Sequence, residues 1–422
     1  MKHVLAPLSS KQFCKYLAAR VLSSIGSGMY FIALSWFLYH RTSAVASISV
    51  MLILTTLPGL FLSPIAGVLL DRWNEKWVCV GAHLLRALIL ASLVLTIRTD
   101  HGVLLAIYAA SFLMAACDMV FSPAAGALVR DMTARGSLLD ANVLGSTAQQ
   151  VGVLCGASLG GLLVAKIGAT QVIALNVALY CISACLVCSI ATRTRKHEGN
   201  GAKRPSMMAD LRAAAAYVSE QRFILWLAVV QMFDTIVICA CNTLLPAFVS
   251  RALRAGPEAF GLIDSAWGAG AMLGGMLLAF AARRIDRHLI SIVGPLCMSI
   301  LLVFFLSAHS TLHAIAGYFF LGAVVCAVGV NTSTVLAADV ARQHFGKVKM
   351  ALAMFTSYAS LAVYGLLSVF GDKVSLRWLY LALSAFVMSG CLLKIGRTYR
   401  HAKQYARELS TLPEDKTPGF DL

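Results

Sequence analysis

Twelve separate runs of 18 or more mostly apolar residues divide this chain, and no other feature limits its possible folds as strongly. They fall at 16–39, 44–70, 77–97, 102–128, 138–165 and 170–191, then at 223–249, 258–282, 289–308, 312–338, 350–371 and 376–396. About 20 apolar residues in a helix cross the roughly 30 Å hydrocarbon layer of a bilayer, whereas a spanning strand needs only about 10. Inside lipid every backbone N–H and C=O must be satisfied within the protein, so runs of this length are helices. The sequence therefore predicts an all-α membrane protein of twelve transmembrane helices in two six-helix bundles. Charged residues are only 13% of the chain and AVILMFWYC reach 59%, against about 25% charged in soluble domains. A water-soluble enzyme and a disordered chain are both excluded.

One long polar segment separates the two sets of six. The reading divides the chain into 1–191, a first bundle; 192–222, a cytoplasmic linker; 223–396, a second bundle; and 397–422, a polar, mobile cytoplasmic tail. Met207 to Gln221 has the composition of a helix lying along the membrane surface. The first run is too long for the apolar core of a cleaved leader and reads as a retained helix. An even number of spans puts both termini on one side. With the termini inside, 27 of the 35 Lys and Arg residues face inward, seven face outward, and Arg86 lies within a span. Cationic loops stay on the cytoplasmic side, so both termini are expected in the cytoplasm of a cell inner membrane. The net charge of +16 then serves orientation near anionic lipid and not nucleic-acid binding.

Between the second and third runs the chain reads Gly67-Val-Leu-Leu-Asp71-Arg72-Trp-Asn74-Glu75-Lys76. Glycine admits close helix approach, Asn74 suits a turn, and Asp71 with Arg72 places opposite charges at the mouth of a bundle. This stretch resembles the signature loop of the major facilitator superfamily, although Glu75 stands where a basic residue is usual. The resemblance implies that the Asp holds neighbouring helix ends in one state of an alternating-access cycle. Phe121-Ser122-Pro123-Ala124, Leu128-Val129-Arg130, Leu138-Leu139-Asp140-Ala141-Asn142 and Leu84-Leu85-Arg86-Ala87 are similar to the macrolide-efflux and enterobactin-exporter branch, with His83 at a position where that branch often has Asp. Gly67, Asp71, Arg72, Arg86 and Arg130 are the gating candidates.

Gly152, Gly156 and Gly160 recur every four residues and form a smooth stripe for a partner helix. The stretch Gly152 to Gly161 resembles the antiporter motif of exporters in the same superfamily, with Ala157 in place of its Pro. Two lookalikes carry no chemistry. Gly156-Ala-Ser158-Leu-Gly160 fits a nucleophile elbow but sits inside an apolar span instead of a strand-to-helix turn. Gly268-Ala-Gly270-Ala-Met-Leu-Gly274 imitates a dinucleotide fingerprint without a preceding strand. The chain has no nucleotide-binding loop and no zinc-protease motif, so neither cofactor nor metal is expected, and active transport would draw on an ion gradient. The 12 cysteines lie in or beside apolar runs and read as packing residues, including the Cys181, Cys185 and Cys188 face.

An ionisable group within a span costs about 2.5–3.5 kcal/mol by insertion scales, so each calls for a partner, a wet cavity or a function. Asp234 sits mid-span with Gln231, Ile238 and Asn242 on its helical face. It is the main proton-carrier candidate, with a structural hydrogen bond to a neighbouring helix as the alternative. Asp118 is the second proton-coupling candidate; it and Arg86 either pair with each other or join Asp71 and Arg130 in a charge network. Asp264 lies near the outer start of its span, where interfacial water lowers the cost of its charge. Arg20 is close enough to the inner surface to snorkel there. Substrate contact is assigned to Tyr30, Gln149, Gln231, Asn242, Asn331 and Tyr358, beside Ser23, Ser27, Ser146, Thr332 and Tyr364.

The resulting expectation is a monomeric, non-enzymatic secondary transporter. It would export a small organic molecule, a siderophore or a drug, in exchange for protons by alternating access. Proton-coupled import of a siderophore or nutrient is the runner-up, and a membrane receptor that keeps the fold without moving solute is a third class.

Overall fold

The computed structural model describes residues 6–61, 73–133, 137–191, 222–281, 287–340 and 342–410. Gly67, Asp71, Arg72 and the connector from Thr192 to Gln221, including the segment read as a surface helix, lie outside the described residues. After a short 3-10 turn at Ala6–Ser9, the described residues form twelve α-helices and no strand. These are α1 (Lys11–Thr42), α2 (Val45–Phe61), α3 (Glu75–Thr99), α4 (Val103–Met132), α5 (Leu138–Ile167), α6 (Ala169–Cys188), α7 (Arg222–Ala247), α8 (Pro257–Ala281), α9 (Arg287–Leu306), α10 (Thr311–Asp339), α11 (Arg342–Phe370) and α12 (Leu376–Ser410). Eleven are long and apolar enough to cross a bilayer, and the described part of α2 is 17 residues. A π-helical turn, Phe248–Ala252, extends α7.

Helix ends follow local chemistry. Ser10 Oγ accepts from Phe13 N at the start of α1, and Asn74 Oδ1 accepts from Lys76 N at 3.0 Å at the start of α3, because the first-turn amides of a helix lack intrahelical acceptors. The last helix continues past Arg397 as far as Ser410. Its Ala, Arg, Lys, Gln and Glu residues are good helix formers.

The two halves pack by the same scheme. In the first, α1 lies on α5, α2 on α4, and α3 on both α4 and α6; in the second, α7 lies on α11, α8 on α10, and α9 on both α10 and α12. Two seams join them, α5 with α8 and α2 with α11. The face at which α1 begins is called proximal here, and the other distal.

The apolar core is forked. A single cluster runs through both halves from mid-depth to the distal face, including Ile32, Ile48 and Tyr180 of the first half and Val237, Phe248 and Phe305 of the second. Toward the proximal face it divides. Phe13, Val78, Phe121, Leu128 and Val187 form one separate cluster, and Leu227, Val335, Val340 and Val348 form another. The halves are thus fused distally and parted proximally among the described residues.

The glycine stripe of α5 does what its spacing predicts. A Cβ on Gly152 would lie 2.6 Å from Ser24 Cβ, and one on Gly160 would lie 2.9 Å from Met29 Cα, so α1 and α5 touch backbone to backbone. Gly161 turns the other way: a Cβ there would lie 2.9 Å from Gly261 Cα of α8. Ser158, on the false nucleophile pattern, donates to Ser265 Oγ at 2.6 Å across the same seam. Gly270 and Gly274, from the false dinucleotide pattern, press on the α10 backbone at Phe319 and Ala323.

Candidate functional site

The first half encloses a cavity of about 470 Å3, lined by Ser27 and Tyr30 of α1, Thr55 and Gly59 of α2, Ser111, Met114, Ala115, Asp118 and Met119 of α4, and Tyr180 of α6. Periodicity explains the α4 contribution: Ser111, Met114, Ala115 and Asp118 occupy one helical face at spacings of three, four and seven. Most hydroxyls on the wall already donate along their own helices, Ser111 to Ile107 O at 2.8 Å and Thr55 to Leu52 O at 2.8 Å. Ser27 also meets the Tyr180 hydroxyl at 3.2 Å. The Tyr30 hydroxyl is buried and makes no hydrogen bond.

The charged element of this wall is an ion pair. Arg86 of α3 donates to Asp118 Oδ1 at 2.5 Å. The Arg86 side chain is 3% exposed and the Asp118 side chain 67% exposed, so a buried cation supports a carboxylate that faces open space. Behind the pair, the Arg86 guanidinium lies over the Phe121 ring at 4.6 Å and the Tyr180 ring at 5.7 Å. Aromatic faces attract such a cation where water cannot reach it. His83, one turn earlier on α3, is buried against Phe121 with neither ring nitrogen hydrogen-bonded.

Arg20, expected to reach the inner surface, makes a contact between helices. It donates to Gln149 Oε1 of α5 at 2.5 Å and lies over Phe121 at 5.3 Å. The amide and ring offer the guanidinium a partner across the α1–α5 seam that the periodicity of α1 alone does not reveal. Gln149, expected to contact substrate, is therefore engaged with Arg20.

The other expected residues are dispersed. Asp234 is buried, its Oδ1 makes no hydrogen bond, and a Cβ on Gly329 of α10 would lie 3.8 Å from its Oδ2. Gln231 and Asn242 are half-buried on α7. Asn331 is buried on α10 and donates to Ser291 Oγ of α9 at 3.1 Å. Tyr358 is exposed on α11, and Arg130 is exposed at the end of α4. Asp264, expected in interfacial water, is half-buried on α8. Of the residues expected to couple protons or contact substrate, Asp118, Tyr30 and Ser27 stand on the cavity wall. Tyr180, Ser111 and Thr55 went unnoticed in the sequence; Ser111 was findable, since it lies two turns from Asp118 on the same face.

The distal face is closed by contacts between the halves. Asp372, in the turn between α11 and α12, accepts from Val45 N at 2.9 Å and Ala46 N at 3.0 Å in the first turn of α2. Arg251, in the π-helical turn after α7, donates to the Ser43 carbonyl and lies 3.7 Å from Asp372 Oδ1.

Comparison with known proteins agrees with this architecture. The family model for transmembrane secretion effectors matches residues 2–406. The chain is 23% identical over 421 aligned residues to the MFS-type transporter YfiS of Bacillus subtilis (strain 168), covering 94% of this chain and 96% of that one. It is 24% identical over 292 residues to the multidrug efflux pump Tap of Mycolicibacterium fortuitum, covering 64% and 68%. Among solved structures, the nucleoside transporter NupG superposes with a TM-score of 0.72 at 12% identity, over 92% of this chain and 99% of NupG. A bacterial homologue of the human lysosomal transporter Spinster, in an inward-facing and unoccupied conformation, superposes with a TM-score of 0.70 at 14% identity, over 91% and 96%. At such identities these two structures speak for the fold alone. Twelve helices among the described residues, packed as two similar halves, and a family match along nearly the whole length have one reading: the chain belongs to the transmembrane secretion effector family of the major facilitator superfamily, and is a multi-pass membrane transporter of small molecules.

Proposed function

We propose that this transporter exports a small organic molecule of the siderophore or drug class from the cytoplasm, by proton antiport through alternating access. The membrane is the cell inner membrane, both termini are cytoplasmic, and the proximal face is the cytoplasmic one. The chain acts as a monomer in two units, 1–191 and 223–396, linked by 192–222 and followed by the tail 397–422. The observation that carries the reading is the cavity of the first half, with the Asp118 carboxylate on its wall. A volume of about 470 Å3 suits a ligand of a few hundred daltons. Its Met, Tyr and hydroxyl lining suits one that is partly apolar.

Asp118 and Asp234 are assigned to proton coupling. A proton on Asp118 weakens its hold on Arg86, so loading the site and releasing the proton become linked. Tyr30 orients substrate through its free hydroxyl; Gln149, Gln231, Asn242, Asn331 and Tyr358 contact substrate in the state in which the halves close on it. Gly67, Asp71, Arg72, Arg86 and Arg130 serve the cytoplasmic gate. Likeness to the efflux pump Tap supports the outward direction.

The test is transport into everted membrane vesicles, whose outer surface is the former cytoplasmic face. With respiration acidifying the lumen, ethidium or a catecholate siderophore should accumulate and the pH gradient should partly discharge. Accumulation that survives collapse of the pH gradient by nigericin refutes proton antiport. Uptake confined to right-side-out vesicles establishes import instead.

A further inference from the structure

The contacts that shut the distal face come from a few residues, and the sequence reading assigned none of them. The start of α2 has no cap of its own: Ala44, which precedes it, carries no side-chain acceptor. The first amides of a helix are unsatisfied donors at the positive end of its dipole. They are met by a carboxylate from the other half of the protein, with each Asp372 oxygen taking one amide. Arg251 holds the same place from a third direction. It donates to the Ser43 carbonyl in the α1–α2 turn, lies 3.7 Å from Asp372, and rests over the Tyr39 ring at 5.5 Å. The turn beside Asp372 is also tight, since a Cβ on Gly371 would lie 2.7 Å from Val45 Cγ1.

All of these contacts join the halves at the end where the core is fused, and α2 with α11 is one of the two seams on which the halves meet. Opening the distal face requires the α1–α2 turn to leave the α11–α12 turn. Each of these contacts would then break, and water would take over the amides of Val45 and Ala46. We propose that Asp372, positioned by Arg251, is the latch of the distal gate: a carboxylate of the second half that caps α2 of the first, and whose release accompanies the change of access. The pair is partly exposed, which suits a contact made and broken in every cycle better than a buried one, because the separated charges are rehydrated.

The inference rests on the alternating-access part of the proposed function but not on substrate, direction or coupling ion. Its test measures distances across both faces in the full chain. All 12 cysteines are free thiols, so spin labels are attached through a genetically encoded keto amino acid. One pair, at positions 99 and 307, reports on the distal ends of α3 and α9; a second, at 77 and 289, reports on their proximal ends. Asp372→Ala is expected to raise the ratio of distal-open to distal-closed protein by about tenfold, the scale of a lost helix cap, with a matching rise in proximally closed protein. Asp372→Asn, which keeps an acceptor without the charge, should fall between it and the parent and serves if the alanine variant does not fold. Unchanged distal distances, with faster hydrogen exchange confined to Val45 and Ala46, overturn the latch and leave a local cap. Distal opening without proximal closure keeps the latch as a seal and counts against alternating access itself.

Discussion

Arg86 reaches Asp118 Oδ1 at 2.5 Å from a buried position, while the carboxylate it holds faces the cavity. The two ends of this pair are therefore unequal. Asp118 can be hydrated when free; Arg86, with its Nε already lacking a hydrogen-bond partner, cannot.

Asp118→Ala should destabilise the protein by about 1–3 kcal/mol, because it leaves a buried cation with only aromatic faces around it. Arg86→Met removes the buried charge and strands only an exposed carboxylate, so it should cost less, about 1 kcal/mol or under. Thermal unfolding of the two variants in detergent gives the order, and a larger loss for Arg86→Met contradicts the reading.

Glycines of the α1–α5 seam should tolerate no methyl group. A Cβ on Gly156 strikes the Ile25 carbonyl oxygen and lies 2.9 Å from Ile25 C, backbone that cannot move aside. Gly156→Ala should cost about 1–3 kcal/mol or more. On α4, a Cβ at Gly126 meets nothing within 4 Å, and Gly126→Ala should be neutral or gain up to about 1 kcal/mol in helix propensity. Equal melting temperatures for the two would disprove the close approach.

Ser299 of α9 and Ser384 of α12 each bond the other's carbonyl, at 2.8 and 2.9 Å, with their hydroxyl oxygens 2.8 Å apart. Replacing either by Ala should cost about 0.6–1.7 kcal/mol, the range for hydrogen bonds between membrane helices. The double variant should cost measurably less than the sum of the singles, since both act in one bonded unit. Additive losses would show that the two bonds are independent.

Asp234→Asn should leave the fold intact, because Oδ1 makes no hydrogen bond to lose. If Asp234 carries the coupling proton, transport by this variant in everted vesicles should no longer respond to an imposed pH gradient, while substrate exchange without a gradient persists. Transport that stays driven by the gradient removes Asp234 from the coupling role.

Much of the architecture was legible before any coordinates. Long apolar runs announced the helices because lipid leaves the backbone no other way to satisfy itself. The α5 glycines announced a close neighbour because a four-residue repeat stays on one side of a helix. The site was less legible. Asp234 looked central from its polar helical face, yet the cavity wall is built from α1, α2, α4 and α6. Asn331 looked like a ligand and is bonded to Ser291. A polar residue in a span advertises that it has a partner but not which helix supplies it.

Local sequence alone settled the number of helices, the asymmetry of charge between their connections and the smooth faces along which they press. Tertiary structure alone decided how each helix is rotated against its neighbours, and with that which side chains converge. Val45 and Asp372 stand 327 positions apart and meet through two backbone amides, so no side-chain pattern along either segment could have announced the contact. Helical periodicity is a property of a dozen neighbouring residues, whereas rotation and seam are set by packing between segments hundreds of residues apart.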